Sequence, residues 1–455
     1  MRPVLEEPHH RLLHPDRRGH RRHRRRRHDQ QRQLSGALAL SVYRLQNPTR
    51  AYAWGSVSHI PRLLGVEPTG EPVAEMWIGA HPADPSVLPD GRPLDGAIGA
   101  EPDAFLGPEL RRRFGDRLPF LMKLLAAGEP LSLQVHPTSQ RAQIRFEEQE
   151  AAGIPLGAPE RSYQDRSHKP ELIYALTRFE GLAGFRDPAR SAVILRGLGL
   201  PWLAVIATRI ESAASPFQEL RAVVTELLAT PEPLLSHRLG QLRVAAVAAE
   251  QHLHTTTAGR RDRSPDPSAV ERESIRVYAA LPTLIDRYPH DAGVLVTLLL
   301  NHVVLAAGEA MFIDAGVIHA YTSGFGVEVM ASSDNVLRAG LTPKHVDVPE
   351  LLEITNFTPI PPPLWLPSAS GRGTSDEDAA RFQPPVAEFE LYVGRPEHVG
   401  PMAGPRAVLV LEGTVDVTTA GRCEPLHAGE VLFVGHQERA LLAGDARVAV
   451  ASVPA

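Results

Sequence analysis

The sequence of 455 residues contains little cysteine, little lysine and few aromatic residues. Its single cysteine, Cys423, excludes an internal disulfide framework and is typical of a reducing compartment, so we expect a cytoplasmic protein. No apolar run approaches the roughly 20 residues of a membrane helix, so no membrane partner is predicted. Aromatic residues make up 5% of the chain, but 43% of its residues are hydrophobic, which is enough for two or three domains with substantial cores.

Lysine is almost absent. Of the 48 lysine and arginine residues, only Lys123, Lys169 and Lys344 are lysines. All three lie in or beside the segments that carry the polar motifs described below. Lysine offers a compact ammonium whose pKa shifts readily on burial, which arginine does not. The surviving lysines therefore indicate positions that need an ammonium, although chance survival explains Lys344 equally well.

The charge is unevenly distributed along the chain. The first 40 residues hold eleven arginines, densest over residues 21–27, whereas the whole chain has a net charge of −5. The run of arginine and histidine over residues 20–28 has no apolar residues to bury, and the basic block is predicted to be disordered. It has the composition of a nucleic-acid-binding tail, but we favour an extended start, with translation beginning near Val42, because folded-looking sequence begins at Tyr43. We therefore expect no nucleic-acid partner and no export signal.

The pattern of apolar residues divides the chain into blocks. Short apolar runs punctuated by glycine and proline predict strands, and a helical period interrupts them. This order predicts a mainly β protein with a helical insert, built as two β-barrels or sandwiches. The predicted blocks are a tail over 1–42, the first part of a catalytic β domain over 43–187, a helical insert over 188–290, the second part of that domain over 291–358, a linker over 359–385 and a C-terminal β unit over 386–455.

Several individual elements are predicted within these blocks. Residues 131–136 and 294–300 read as strands. A helix should begin at Ser215, because serine is followed by Pro216 and, three residues on, by Gln218. A polar break is predicted over residues 255–267.

Four separated segments carry polar residues that could converge on one metal ion. In the strand over 131–136, Ser132, Gln134 and His136 share one face. Two imidazoles, a carboxylate and an amide oxygen suit a divalent ion such as zinc, and an arginine is the usual partner of a phosphate or a developing oxyanion. These residues predict an enzyme acting on a small phosphorylated molecule. The segments are Gln134-Val135-His136-Pro137, His168-Lys169-Pro170-Glu171, Gly316-Val317-Ile318-His319 and Asp334-Asn335-Val336-Leu337-Arg338-Ala339-Gly340.

The stretch from Gly308 to His319 resembles the second half of a cupin metal motif, in which a strand and a glycine turn lead to a histidine. The usual proline is replaced here by Asp314-Ala315. With all these residues assembled, the chain closely resembles the type I mannose-6-phosphate isomerases, over almost everything after Tyr43. The matching segments are 52–55, 74–82, 131–137, 168–176, 184–186, 288–301 and 328–344.

The resemblance implies two cupin-like jelly-roll β-barrels with an inserted α-helical domain. The C-terminal β unit repeats the cupin motif over 426–434 without a matching ligand set. One zinc ion per chain would be held by Gln134, His136, Glu171 and His319.

The resemblance also implies roles for residues around the metal. Ser132 and Lys123 would help to bind the phosphate, and Lys169 and Arg338 would face the reacting sugar. Glu328 and Asp334 would line the pocket as acids that hold or relay protons. Trp54 and Tyr321 would shape the sugar pocket, although packing in an aromatic core explains them equally well.

The implied reaction is the interconversion of mannose 6-phosphate and fructose 6-phosphate through an enediol, a step in carbohydrate metabolism towards GDP-mannose. The base stays open among Lys169, His319, Glu328 and a metal-bound water. One alternative is an iron-dependent cupin oxygenase, but those enzymes show a His-x-His pair where this chain has Gln134-x-His136. The other is a non-catalytic sugar-binding cupin, which would not need Lys169 and Arg338. We expect a small sugar phosphate as the partner, and a monomer or weak homo-oligomer.

Overall fold

The computed structural model describes residues 42–259, 268–368, 379–399, 405–419, 422–436 and 438–454. The predicted tail therefore lies outside the described residues except for Val42, as does the middle of the predicted linker. Within the described residues the chain forms two antiparallel sheets and a set of helices.

The first sheet has ten strands, of which β10 is the longest. The strands are β2 (Thr49–Arg50), β3 (Glu75–Gly79), β4 (Phe120–Ala127), β5 (Leu133–Val135), β6 (Glu171–Ala175), β7 (Phe179–Phe185), β8 (Leu300–Leu305), β9 (Ala310–Ile313), β10 (His319–Ala331) and β11 (Leu337–Gly340).

Strand β10 joins the two parts of this sheet. At its start His319 lies opposite Gln134 of β5 on one side and Ala183 of β7 on the other. Further along, Glu328 lies opposite Lys123 of β4 on one side and a residue of β6 on the other. Because β5, β6 and β4 all flank the same strand, polar residues from distant parts of the chain meet along it.

The second sheet has eight strands. They are β1 (Val42–Leu45), β12 (Ala380–Phe382), β13 (Glu390–Gly394), β14 (Arg406–Thr419), β15 (Arg422–His427), β16 (Val431–Val434), β17 (Leu441–Ala443) and β18 (Ala446–Ser452). The first described strand, β1, pairs with β16 rather than with the first sheet. In the part of the chain that the structure describes, neither sheet closes into a barrel through its strand pairings. The architecture is a mixture of sheets and helices.

Helices pack against the first sheet and also connect its strands. They are His59–Leu63, Leu94–Ala100, Pro102–Phe105, Gly107–Phe114, Ser139–Ala151, Pro188–Gly197, Pro201–Ser212, Pro216–Leu228, Leu234–Gly259, Ala269–Arg287, Gly293–Thr297 and Val348–Ile354, with a short 3₁₀ turn at Pro396–His398. None of the described helices is long and apolar enough to cross a membrane.

Some element predictions are confirmed and others are wrong. Ser215 caps its helix, accepting a hydrogen bond from the backbone nitrogen of Gln218. The predicted strand over 294–300 is wrong, because Gly293–Thr297 is a helix and β8 begins only at Leu300. The polar break predicted from Thr255 is also wrong in its first part, since the helix continues to Gly259; residues 260–267 lie outside the described residues.

Two apolar clusters hold these layers together. One contains Leu124 and Val327 of the first sheet with Leu391 and Phe433 of the second, so the sheets share a core. The other packs Leu133 and Val135, on the back of the strand that carries Gln134, against helix residues such as Leu220 and Leu281. Burial of this back face is what turns Gln134 to the opposite side of β5.

An ion pair also fastens the helices to the sheet. Arg186, which is fully buried at the end of β7, contacts the carboxylate of Glu273 over 2.8 Å, and Glu273 also pairs with Arg190. The same carboxylate accepts a hydrogen bond from the backbone nitrogen of His302 in β8.

Candidate functional site

Three of the four predicted metal ligands form one buried cluster. His136, Glu171 and His319 each offer one ligand atom, and these atoms lie within 4.8 Å of one another. The Nε2 atom of His136 lies 3.2 Å from one oxygen of Glu171, and the Nε2 atom of His319 lies 3.3 Å from the other. The fourth predicted ligand is Gln134, whose amide nitrogen lies 3.2 Å from Nε2 of His319.

Both imidazoles are held in the orientation that a metal ligand requires. The Nδ1 atom of His136 lies 2.8 Å from the backbone oxygen of Asn335, and the Nδ1 atom of His319 lies 2.9 Å from that of Val317. Since a carbonyl oxygen only accepts hydrogen bonds, each Nδ1 carries the proton in the neutral ring. The Nε2 lone pairs therefore point at the cluster, in the arrangement typical of metal-bound histidines.

The cluster is chemically incomplete without a cation. Nε2 of His136 and Oε2 of Glu171 are buried and have no hydrogen-bond partner among the described residues. The Nε2 lone pairs of the imidazoles repel the carboxylate oxygens that they face, and a cation between them removes that repulsion. Two nitrogens, a carboxylate and an amide oxygen form a ligand set that suits a divalent cation, so the residues present fit a metal ion.

Lys169 shapes the electrostatics of this cluster. Its Nζ atom lies 2.6 Å from Oε1 of Glu171, and both side chains are buried. Burial raises the pKa of Glu171, but the Lys169 ammonium outweighs burial and holds this pKa well below its usual range. Burial, with Lys169 nearby, lowers the pKa of His136 to about 4. Glu171 is therefore ionised and His136 is neutral at physiological pH, as metal ligation requires.

The cluster opens into a cavity of about 1120 Å³. Nine of the twelve predicted site residues line it, and so do all three lysines of the chain. Of the other three, His136 and His319 lie in the cluster beneath the wall, and Asp334 lies beside His81. The nine are Trp54, Lys123, Ser132, Gln134, Lys169, Glu171, Tyr321, Glu328 and Arg338.

On one wall of the cavity, Lys123 lies between two acids. Its Nζ atom is 3.8 Å from Glu75 and 3.6 Å from Glu328, and all three side chains are buried. Burial lowers the pKa of Lys123, but the two carboxylates outweigh it and raise this pKa above its ordinary value. Burial and the nearby Glu171 raise the pKa of Glu328 to about 7. The charge of Lys123 is thus compensated by protein groups.

Arg338 and Lys344 form a contrasting cationic part of the wall. Arg338 lies opposite Gln134 in the β11–β5 pairing, which places it near the cluster. Burial lowers the pKa of Arg338, and burial together with Arg338 lowers that of Lys344. Neither side chain forms a salt bridge with a carboxylate within the described residues. Two cations without a protein counter-ion make this part of the cavity suited to an anion.

The remaining predicted residues occupy different surroundings. Asp334 has a side chain that is 45% exposed, and its carboxylate lies 3.5 Å from Nε2 of the buried His81. The ring of Tyr321 packs beside His319, with centroids 5.9 Å apart, and burial near Glu328 raises the pKa of Tyr321 well above its usual value. Trp54 stacks on Tyr52 at the cavity wall, with centroids 5.6 Å apart.

Sequence reasoning did not assign two of these neighbours. Tyr52 was covered only by the segment 52–55, and nothing in its pattern distinguishes a pocket aromatic from a surface one. Lys344 was left open, although the scarcity of lysine was the signal that could have placed it in the cavity.

Comparison with known proteins identifies the family to which the chain is related. The family model for the phosphomannose isomerase type I catalytic domain matches residues 42–188. The chain is 37% identical to the mannose-6-phosphate isomerase of Salmonella typhimurium over 325 residues, covering 70% of this chain and 76% of that protein. It is 30% identical to the enzyme of Emericella nidulans over 441 residues, covering 88% and 92%.

Solved structures agree over a larger share of the chain. The crystal structure of the Salmonella typhimurium mannose 6-phosphate isomerase bound to fructose 6-phosphate and zinc has a TM-score of 0.78 and 32% identity, covering 91% of this chain and 100% of that one. Fold and site thus define an isomerase of the phosphomannose type. The chain belongs to the type I mannose-6-phosphate isomerase family.

Proposed function

We propose that this chain interconverts mannose 6-phosphate and fructose 6-phosphate as a zinc-dependent aldose–ketose isomerase, through an enediol. The observation that carries the proposal is the buried cluster of His136, Glu171 and His319 at the base of a cavity that also holds unpaired cations. Membership of the family supplies the substrate and the metal, since a relative is solved with zinc and fructose 6-phosphate.

One zinc ion per chain is proposed to be held by Gln134, His136, Glu171 and His319. The carbonyl contacts at Nδ1 of both histidines and the partnerless Oε2 of Glu171 support this set. Gln134 contributes a neutral ligand, so the site keeps more positive charge than it would with a second carboxylate. Zinc, when bound, supplies a Lewis acid for the carbonyl oxygen of the sugar.

The proton transfers are assigned to side chains in the cavity wall. Lys169 is placed to assist ring opening, because its ammonium lies at the cavity surface and is fixed by Glu171. Proton movement between C2 and C1 is assigned to Glu328, shared with water. Asp334, the second predicted acid, lies beside His81 and is not among the described residues that line the cavity, so it is given no proton transfer. Arg338 is proposed to stabilise the oxyanion that develops as the enediol forms. Trp54 and Tyr321 would confine the sugar.

The phosphate is proposed to bind at the cationic part of the wall, near Ser132. Lys344 carries a charge that no carboxylate compensates within the described residues, whereas Lys123 lies between Glu75 and Glu328. A compensated cation attracts an added anion less strongly than a free one. We therefore assign Lys344 the main phosphate contact, and give Lys123 and Ser132 supporting roles.

The finer architecture belongs to the same proposal. We propose that the two sheets are cupin-type jelly rolls, with a catalytic domain over 43–187 and 291–358, a helical insert over 188–290, a linker over 359–385 and a C-terminal unit over 386–455. The placement of β1 in the second sheet adds residues 42–45 to that unit. A cytoplasmic protein, monomeric or weakly oligomeric, that supplies mannose 6-phosphate for GDP-mannose remains our expectation.

Two alternatives make different predictions for the same sample. An iron-dependent cupin oxygenase would consume oxygen, and a sugar-binding cupin would bind the sugar phosphate without converting it. The deciding experiment removes metal with a chelator, restores zinc or iron, and follows mannose 6-phosphate by a coupled assay for fructose 6-phosphate. We expect activity with zinc only. Binding without turnover in the zinc-loaded sample would refute the catalytic proposal.

A further inference from the structure

Asn335 is a fully buried residue whose side chain ties two site loops together. Its amide nitrogen donates to the backbone oxygens of Asp165 and Ser167, each over 2.8 Å. Its amide oxygen accepts from the backbone nitrogens of Gln164 and Asp165, at 2.8 and 3.2 Å. Both donor positions and both acceptor positions of the amide are thus satisfied by the loop over 164–167.

The backbone oxygen of the same residue accepts from Nδ1 of His136 over 2.8 Å. Asn335 therefore joins three pieces of the site: the strand end that presents His136, the loop that leads into Lys169 and Glu171, and its own segment, which leads into Arg338. The chain separations are large, at 199 residues to His136 and 170 to Asp165, so no local structure would hold these pieces in register.

Asp165 and Ser333 complete the network from the other side. The Asp165 carboxylate accepts from the backbone nitrogen of Asp334 over 2.8 Å and from Oγ of Ser333 over 2.9 Å. The backbone nitrogen of Asn335 donates to that same Oγ over 3.3 Å. Side-chain hydrogen bonds thus connect the segment 164–167 to the segment 333–335.

We propose that Asn335 is a positioning residue for the metal centre: its amide fixes the backbone carbonyl that orients His136, and so sets the affinity for the metal. The inference rests on the proposed function, because it assumes that the cluster binds zinc. An amide is suited to this place because it is an uncharged group with both donors and acceptors. A shorter side chain would remove this partner from the backbone oxygen of Asp165 and from the backbone nitrogens of Gln164 and Asp165, which are partly buried.

The test compares Asn335→Ala with a matched variant, Asn301→Ala. Asn301 is also fully buried, and its amide nitrogen donates to the backbone oxygens of Ala183 and Ile360, both over 3.0 Å. None of these hydrogen bonds involves the backbone oxygen of Val317, which accepts from Nδ1 of His319. Both variants should lower the melting temperature of the metal-free protein, because both leave buried backbone groups unpaired.

Zinc affinity, measured by competition with a chromogenic chelator on folded protein, separates the two roles. We expect Asn335→Ala to weaken zinc binding by about 10–100-fold, the range for losing a contact that orients a metal ligand. Asn301→Ala should bind zinc within about twofold of the parent chain, because its amide donates to Ala183 and Ile360 and not to the carbonyls that hold Nδ1 of His136 and His319. Equal zinc affinities of the two variants would overturn the inference.

A milder change decides the matter if Asn335→Ala does not fold. Ser333→Ala removes the hydroxyl that accepts from the backbone nitrogen of Asn335 and donates to Asp165, while the Asn335 amide stays in place. Zinc binding should therefore weaken by a smaller but measurable factor. Unchanged affinity in Ser333→Ala would then overturn the inference. The proposed function fails separately: a parent chain that binds zinc without isomerising mannose 6-phosphate refutes the reaction and leaves the positioning role in place.

Discussion

The Nζ atom of Lys169 lies 2.6 Å from Oε1 of Glu171, inside a wall where both side chains are buried. One oxygen of the carboxylate thereby contacts an ammonium while the other faces His319. A single acid connects the residue proposed to handle protons with the proposed metal ligands. The position of the Lys169 ammonium is therefore fixed by a proposed metal ligand.

Replacing Lys169 by arginine should impair catalysis although the charge is kept. The planar guanidinium is bulkier than an ammonium and does not give up its proton. We expect kcat to fall about a hundredfold or more, on the scale of losing one acid–base group, with zinc content unchanged. Lys344→Arg is the matched control and should stay active, because arginine binds phosphate well. Near-normal kcat in Lys169→Arg would remove lysine-specific chemistry from the account.

His136→Ala should release zinc without unfolding the chain. The imidazole is fully buried, and its Nε2 has no hydrogen-bond partner among the described residues. Alanine offers no atom that could replace it as a ligand. Metal content after dialysis should fall well below one zinc per chain, and activity should fall with it. His302→Ala, which removes a buried histidine outside the cluster, should keep its zinc. Full occupancy in His136→Ala would show that the ligand assignment is wrong.

Lys344 and Lys123 should respond differently to removal of their charge. Lys344→Gln is expected to raise KM for mannose 6-phosphate by about 10–100-fold, because losing a charge-assisted contact costs roughly 1.5–3 kcal/mol. Its melting temperature should change little, since it has no salt bridge within the described residues. Lys123→Gln should destabilise the fold, as Glu75 and Glu328 would lose their shared cation. A larger effect on KM in Lys123→Gln would reverse the phosphate assignment.

The ion pair between helices and sheet should make stability depend on pH. Burial raises the pKa of Glu273, but Arg186 and Arg190 outweigh burial and hold this pKa below its ordinary value of 4.5. Because the folded pKa is the lower one, the pair stabilises fully above pH about 4.5 and loses its contribution as pH falls towards the folded pKa.

Glu273→Gln tests this pair. At pH 7 the variant should lose about 3–5 kcal/mol in the free energy of unfolding, because Arg186 stays buried without a carboxylate. The difference from the parent chain should shrink as pH falls below about 4.5, when measured by urea unfolding. Glu211→Gln, which breaks an exposed pair with Arg196, should change little. A pH-independent difference for Glu273→Gln would contradict the assigned cause.

Local signals in the sequence predicted local structure well. The helix start at Ser215 depends on a cap and a proline within a few residues, and the structure has it at that place. The run over 294–300 shows the limit of such signals, because a short apolar stretch fits a buried strand and a buried helix equally. All five residues of the helix Gly293–Thr297 are buried, so burial alone did not distinguish the two.

Long-range pairings were beyond prediction. Nothing in residues 42–45 indicates that they pair with β16, almost 390 residues away, because any exposed sheet edge offers the same backbone groups. The convergence of His136, Glu171 and His319 was better predicted, since their residue types limit the chemistry that can be formed. The support for those ligands was not foreseen: Asn335 acts through its backbone oxygen, which every residue possesses.

The most direct test of the account follows mannose 6-phosphate by NMR in deuterated water, with the zinc-loaded protein and a chelated sample side by side. We predict that fructose 6-phosphate forms only in the zinc-loaded sample, reversibly, with some solvent deuterium at C1 or C2, as an enediol route allows. Isomerisation without label at any extent of conversion would contradict proton exchange through an enediol. No fructose 6-phosphate from the zinc-loaded protein would contradict the proposed function itself.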